Sequence, residues 1–143
     1  MKLSERGIII RKTAEEDLRG IYLLSRSLPE RESRVLTAPA LAEIFMSKKY
    51  IACSAVRKKR VLGFIAGGVD NGKVHIERLI VDPIFRGSGI GSALLDYFCG
   101  SAKKEGADNF FIAVYEETPE STEFFLARGF SSSGKLLLME KKG

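Results

Sequence analysis

Ile76-Glu77-Arg78-Leu79-Ile80-Val81-Asp82-Pro83-Ile84-Phe85-Arg86-Gly87-Ser88-Gly89-Ile90-Gly91-Ser92 is the stretch on which the fold turns. It reads as an apolar strand, a turn with three glycines in five positions, and the start of a helix. Ala93, Leu94, Phe98 and Ala102 then recur on one helical face until Gly106 stops it. Glycines at such a turn let the backbone approach a ligand closely, and the free amides at the helix start point outward as anion donors. Arg86 adds a forked cation at the mouth. Arg86, Gly87, Ser88, Gly89, Ile90, Gly91 and Ser92 are therefore a candidate pyrophosphate site, set against the plainer reading of a tight turn that needs flexible residues. No Lys follows the glycines, as a Walker loop requires. Ser92 stands where a dinucleotide fingerprint wants a small residue, and the glycines follow the fourth strand rather than the first.

Working outward, Ile8-Ile9-Ile10 reads as a first strand over 7–11. Thr13-Ala14-Glu15-Glu16 predicts a capping box, opening a helix with Leu18, Ile21, Tyr22 and Ser25 on one face. Leu28-Pro29-Glu30 breaks it, and a second helix is expected over 39–48 on a stripe of Leu41, Ile44 and Phe45. Residues 50–56 and 61–69 read as strands joined by the basic turn Arg57-Lys58-Lys59-Arg60, and Asp70-Asn71-Gly72 signals a hairpin into a strand over 73–81. Asn109 to Tyr115 reads as a strand. Thr118-Pro119-Glu120 reads as a helix cap with proline at the first position, and Gly129 as that helix's stop. The tail, with Leu136-Leu137-Leu138-Met139, is expected to supply one or two last strands. The fold class is α/β: a mixed central sheet flanked by helices, with a meander up to Val81 and one right-handed βαβ crossover.

Composition bounds the rest. A chain of 143 residues with 45% hydrophobic and 29% charged residues fits a single domain, 1–143, with its own core. No apolar run approaches the roughly 20 residues of a membrane span, and the N-terminus lacks the apolar segment of a secretory signal. No membrane partner is expected, and the expected location is cytoplasmic. Cys53 and Cys99 are too few and too far apart for a disulfide framework or a metal site, and both sit in apolar surroundings. The net charge of +5 fits nucleic acid, a small polyanion or mere solubility equally well. The densest basic cluster lies in the hairpin turn, and no aromatic–basic interleaving accompanies it, so no nucleic-acid partner is expected.

Residues 76–91 resemble the acetyl-CoA signature of the GCN5-related N-acetyltransferase (GNAT) superfamily. The family pattern, Gln/Arg-x-x-Gly-x-Gly/Ala after a Val-x-Pro strand end, is matched by Arg86, Gly89 and Gly91. A second family block, a strand and a helix ending in Gly-Phe, is matched by 111–130, ending at Gly129-Phe130. The resemblance implies that acetyl-CoA is the acetyl donor and that no metal is needed. It implies that the backbone of Leu79, Ile80 and Val81 pairs with the pantetheine arm, and that Arg86 to Ser92 hold the pyrophosphate. Family members are often dimers, which allows a homodimer here.

The chain departs from the family at the second block. Many members carry an Asn about seven residues before a Tyr there, and this chain has Thr118 and Phe125 at those positions. Phe125 has no proton to give to a leaving thiolate, so Tyr115 becomes a candidate substitute, and Thr118 a candidate for one hydrogen bond to the cofactor or for an N-cap. His75 and Glu77 sit two apart on one strand and share a face, so either is a candidate base for the incoming amine, Glu77 ahead of His75. Members that acetylate ribosomal-protein N-termini often carry Leu-Glu-Val-Arg on the next strand. This chain has Ile112-Ala113-Val114-Tyr115 instead. The expected activity is transfer of an acetyl group to a primary amine of a small molecule or peptide by direct attack in a ternary complex. The alternatives are a non-catalytic acyl-CoA-binding or regulatory domain on the same fold and, third, a nucleic-acid binder using the basic turn. The acceptor would be read by the first two helices, the loop of residues 27–36 and the last strands, where no motif names it.

Overall fold

The computed structural model describes residues 2–28, 36–115 and 118–143. The chain divides into two compact units, Met1–Phe111 and Ile112–Gly143. The expected break at Pro29-Glu30 and residues 31–35 of the following loop lie outside the described residues.

Two tight turns set the antiparallel part of the sheet. Lys58 and Lys59 take φ of 46° and 67°, and Asn71 and Gly72 take 49° and 78°. Two consecutive left-handed residues are the mark of the hairpin turn whose twist matches right-twisted strands. Strands β2 (Tyr50–Arg57), β3 (Arg60–Asp70) and β4 (Lys73–Val81) accordingly follow as an antiparallel meander. β1 (Ile9–Lys12) pairs antiparallel with β2, Ile10 opposite Ala55. From β4 the chain passes through helix α3 (Ile90–Lys104) to β5 (Asn109–Ile112), which takes the far side of β4. The sheet order is β1-β2-β3-β4-β5, and the sheet is mixed, as the sequence predicts.

Alternation along β3 sends side chains to two faces. Phe64 and Ala66 join Ala52 and Ile80 in a core with Ile21 and Leu24 of α1 (Leu18–Arg26) and Leu41 and Ile44 of α2 (Ala38–Met46). On the other face α3 lies against β2, β3 and β4. There β3 carries Gly63 and Gly67, and a Cβ built on either would fall 3.0 Å or less from side-chain atoms of Leu94 and Ile90, or of Phe98. The absent side chains let the helix sit almost on the strand, with Phe98 and Leu94 wholly buried. Each such burial contributes about 1.5–3 kcal/mol.

The entry to α1 differs from the expected capping box. The Thr13 hydroxyl is buried and shares a 2.8 Å hydrogen bond with Ser54 of β2, so it caps nothing. Asp17 closes the turn instead: its Oδ2 accepts from the Ala14 amide at 2.8 Å, and both its oxygens take Arg11 guanidinium hydrogens at 2.8 Å. α2 is capped at Thr37, whose hydroxyl oxygen accepts from the Ala40 amide, and Phe45 is half-buried rather than part of the inner stripe.

The second unit holds α4 (Pro119–Leu126), ended by Gly129 at φ 92°. Phe125 is buried edge-to-face between Phe124 and Phe130, at 5.1 and 5.2 Å. The expected last strands do not form: residues 130–143 carry no strand, and Leu136, Leu137, Leu138 and Met139 are 80–89% exposed. An apolar β-prone run becomes a strand only by pairing, and among the described residues of 112–143 no strand pairs with it.

Candidate functional site

The register of β4 on β3 slips by one residue in mid-strand. Arg78 stands opposite Ala66 and Ile76 opposite Gly67, so Glu77 faces no residue of β3. Such a bulge kinks a strand and re-aims a side chain, and bulges gather beside functional sites. Glu77 is exposed, and Oε1 accepts a 3.2 Å hydrogen bond from the Tyr50 hydroxyl, which reaches across from β2. Gly68 lies between them: a Cβ there would stand 3.7 Å from the Tyr50 ring and 3.9 Å from Glu77 Oε1. Burial first, then the Glu77 charge, the hydrogen bond to Glu77 and the Glu43 charge on α2, push the Tyr50 phenol above its ordinary value. Tyr50 is the member of this group that the sequence reading missed. His75, two residues along β4, is exposed and stacks on Phe111 of β5 at 5.2 Å. Glu77 and His75 thus share one strand, as expected, and Tyr50 joins them through Glu77.

The glycine loop lies at the other end of β4. Asp82 closes the strand: its side chain accepts from the Ile84 amide at 3.0 Å and pairs with Arg60 at 2.8 Å. Pro83, Ile84 and Phe85 form one 3-10 turn, and the Ser88 hydroxyl donates to the Phe85 carbonyl. Gly87 and Gly89 follow at φ 80° and 91°, a region where a side chain is strained, and a Cβ on either would meet nothing within 4 Å. Gly89 is the N-cap of α3, and no side chain caps that helix. The amides of Gly89, Ile90 and Gly91 donate to no backbone carbonyl among the described residues. A left-handed glycine turn thus delivers unengaged donors at the positive end of a 15-residue helix. Arg86 is exposed at its mouth. Beside the loop, the guanidiniums of Arg57 and Arg60 lie 5.3 and 5.9 Å from the centre of the Phe85 ring, so the basic turn packs against the turn that precedes the glycines.

Leu79, Ile80 and Val81 connect the two regions. On the β3 side they stand opposite Ile65, Phe64 and Gly63. β5 starts level with Gly72, whose carbonyl accepts from the Asp108 amide at 2.9 Å, and runs four residues to Ile112. At equal rise its strand ends short of Leu79.

Tyr115, Thr118 and Phe125 belong to the second unit. The Thr118 hydroxyl donates to the Tyr115 carbonyl at 2.8 Å, so the residue stands at the helix start without capping it by its side chain. Tyr115 is exposed beyond the end of β5 rather than inside the expected strand. In the first unit, burial pushes the Cys53 thiol up to about 12, with Lys12 pulling weakly the other way, and burial raises Cys99 as well. Neither is a thiolate at neutral pH. Among the described residues no three His, Cys, Asp or Glu side chains are placed to hold a metal ion, and no helix is long and apolar enough to cross a membrane.

Comparison with known proteins gives a coherent picture. A model of the acetyltransferase (GNAT) family matches residues 16–130. The aminoglycoside acetyltransferase AAC(6')-Iy, solved with a bisubstrate analogue of coenzyme A and acetylneamine, superposes with a TM-score of 0.81 at 19% identity, over 95% of this chain and 99% of that one. The PaiA N-acetyltransferase of Thermoplasma acidophilum, solved with coenzyme A, reaches 0.76 at 19% identity over 87% and 89%. The ribosomal-protein-S18-alanine N-acetyltransferase of Escherichia coli reaches 0.76 at 17% identity over 89% and 79%. No curated protein sequence matches this chain significantly.

Proposed function

The chain belongs to the acetyltransferase (GNAT) family, and from that premise we propose that it moves an acetyl group from acetyl-CoA to a primary amine of a small molecule or peptide. The observation that carries this reading is the pairing, on one strand, of an anion cradle at one end and an exposed carboxylate at a bulge further back. The residues fit a pyrophosphate: Gly87 and Gly89 leave room where a Cβ would stand, and the α3 amides and Arg86 supply donors and charge. Thr118 and Phe125 take the family positions of the second block, to which the resemblance assigns cofactor contacts.

The edge of β4 at Leu79, Ile80 and Val81 would pair with the amide-bearing pantetheine arm as an added strand, and its amides would polarise the thioester carbonyl. The acceptor amine arrives protonated and must lose a proton before it attacks. Glu77 takes that proton, and His75, two residues along β4, is the alternative base. Attack is direct, within a ternary complex, because Cys53 and Cys99 are neutral thiols outside the loop and bulge. Phe125 gives no proton to the departing thiolate. A thiol with a pKa of about 8.5 leaves tolerably without help, and Tyr115 is the candidate donor if help is needed.

The buried Phe125 also favours a second reading, a domain that binds acyl-CoA without turning it over. One assay separates the two: release of free coenzyme A from acetyl-CoA across a panel of primary amines, for the wild type and Glu77→Gln. Transfer that falls about 10²-fold or more in Glu77→Gln with acetyl-CoA binding intact is the expected result. Binding with no transfer to any amine would establish the second reading.

A further inference from the structure

We propose that Tyr50 is a positioning residue that holds Glu77 in its proton-accepting orientation. The proposal rests on the reading of Glu77 as the base. Glu77 sits at the one position of β4 without a neighbour on β3, and its side chain is exposed. An exposed, long carboxylate with no residue opposite it samples many rotamers in water. Among the described residues the Tyr50 hydroxyl is the hydrogen-bond partner of that carboxylate.

Tyr50 is well suited to the task because it is itself anchored. Its ring packs against the core made by α1, α2 and the sheet, so the hydroxyl is delivered from a fixed body. The route is opened by Gly68. Tyr50 stands opposite Gly68, and Gly68 opposite His75, so the phenol must pass over β3 to reach β4, and the residue passed over has no side chain. Donation to Oε1 leaves Oε2 free to receive the amine's proton. Burial and the charges of Glu77 and Glu43 push the phenol above its ordinary value, which favours the protonated, donating form. Glu43 on α2 bears on the Tyr50 phenol, and His75 and Arg78 lie near Glu77 along β4.

The test compares the wild type, Tyr50→Phe and Glu77→Gln, with benzylamine as the probe amine and hydrolysis of acetyl-CoA, with water as acceptor, measured alongside. Rates are followed at one pH, with KM for acetyl-CoA and a thermal melt for each protein. Tyr50→Phe keeps the packed ring and removes only the donor. It is expected to lower kcat about three- to tenfold and to leave KM for acetyl-CoA within about twofold and the melting temperature near that of the wild type. A purely structural role would lower the melting temperature and either leave kcat unchanged or raise KM as kcat falls, and that result overturns the proposal. If Glu77→Gln abolishes turnover while Tyr50→Phe leaves kcat unchanged, Tyr50 has no such role and the base assignment stands. If Glu77→Gln leaves the rate as it was, both fall.

Discussion

The close approach of α3 to the sheet makes a sharp prediction at Gly67. A Cβ there would lie 2.6 Å from the His75 carbonyl oxygen, 2.9 Å from Phe98 Cζ and 3.1 Å from the Ile76 Cα. Two of the three are backbone atoms of β4, so no flexible side-chain end can swing away. Gly67→Ala must push β4 from β3 or α3 from the sheet, and overpacking of this kind costs about 1–3 kcal/mol. For a chain of 143 residues the unfolding entropy is about 0.3 kcal/mol/K, so the melting temperature should fall by roughly 3–10 °C. Gly100→Ala is the control. It sits inside α3 with nothing within 4 Å of a built Cβ, and alanine in a helix interior is favoured over glycine by about 0.5–1 kcal/mol. Calorimetry should therefore show one Gly→Ala change lowering the melting temperature and the other raising it by roughly 2–3 °C. Gly67→Ala also strains the strand that carries Glu77, so its turnover should fall more than its stability alone explains. A Gly67→Ala protein that melts within a degree of the wild type would show that helix and strand do not meet as described.

Other outcomes follow from the same geometry. Gly89→Val places a β-branched residue at φ 91°, where the strain is about 1–3 kcal/mol. Acetyl-CoA affinity, read by calorimetric titration, should weaken about tenfold or more as the loop shifts. Asp17→Ala removes the acceptor of the Ala14 amide and of both Arg11 hydrogen bonds in a nearly buried place. It should lower stability by about 2–4 kcal/mol, seen as an earlier urea midpoint. Iodoacetamide at pH 8 should spare Cys53 in the folded protein, because its thiol is raised to about 12 and only a thiolate reacts. Mass spectrometry before and after unfolding reads this directly, and rapid labelling of Cys53 in the native state would contradict its buried setting.

Local chemistry was the legible part. Asn71-Gly72 and Asp82-Pro83 bracket β4, and the expected bounds 73–81 match the strand Lys73–Val81. The left-handed glycines before α3 stand where the motif puts them. What escaped depends on partners distant in sequence. The Thr13 hydroxyl went to Ser54, 41 residues away, because a buried hydroxyl takes a buried partner over a solvent-exposed cap. Tyr50 reads as an ordinary strand residue until the registers are known. Its meeting with Glu77 depends on a one-residue slip at Ala66/Gly67 and on the missing side chain at Gly68. The apolar run 136–139 reads as a strand by pattern, yet pattern alone cannot supply the neighbour that pairs it.

Acetyl-CoA recognition is the claim on which the functional account stands. Melting the purified protein with acetyl-CoA, and with ATP and NAD at the same concentration, tests it most directly. A ligand at about 100 times its dissociation constant adds roughly 2.7 kcal/mol, which for a chain of this length is a rise of roughly 5–10 °C. The account predicts that rise with acetyl-CoA and none with ATP or NAD. No shift with acetyl-CoA, or an equal shift with ATP, would contradict it.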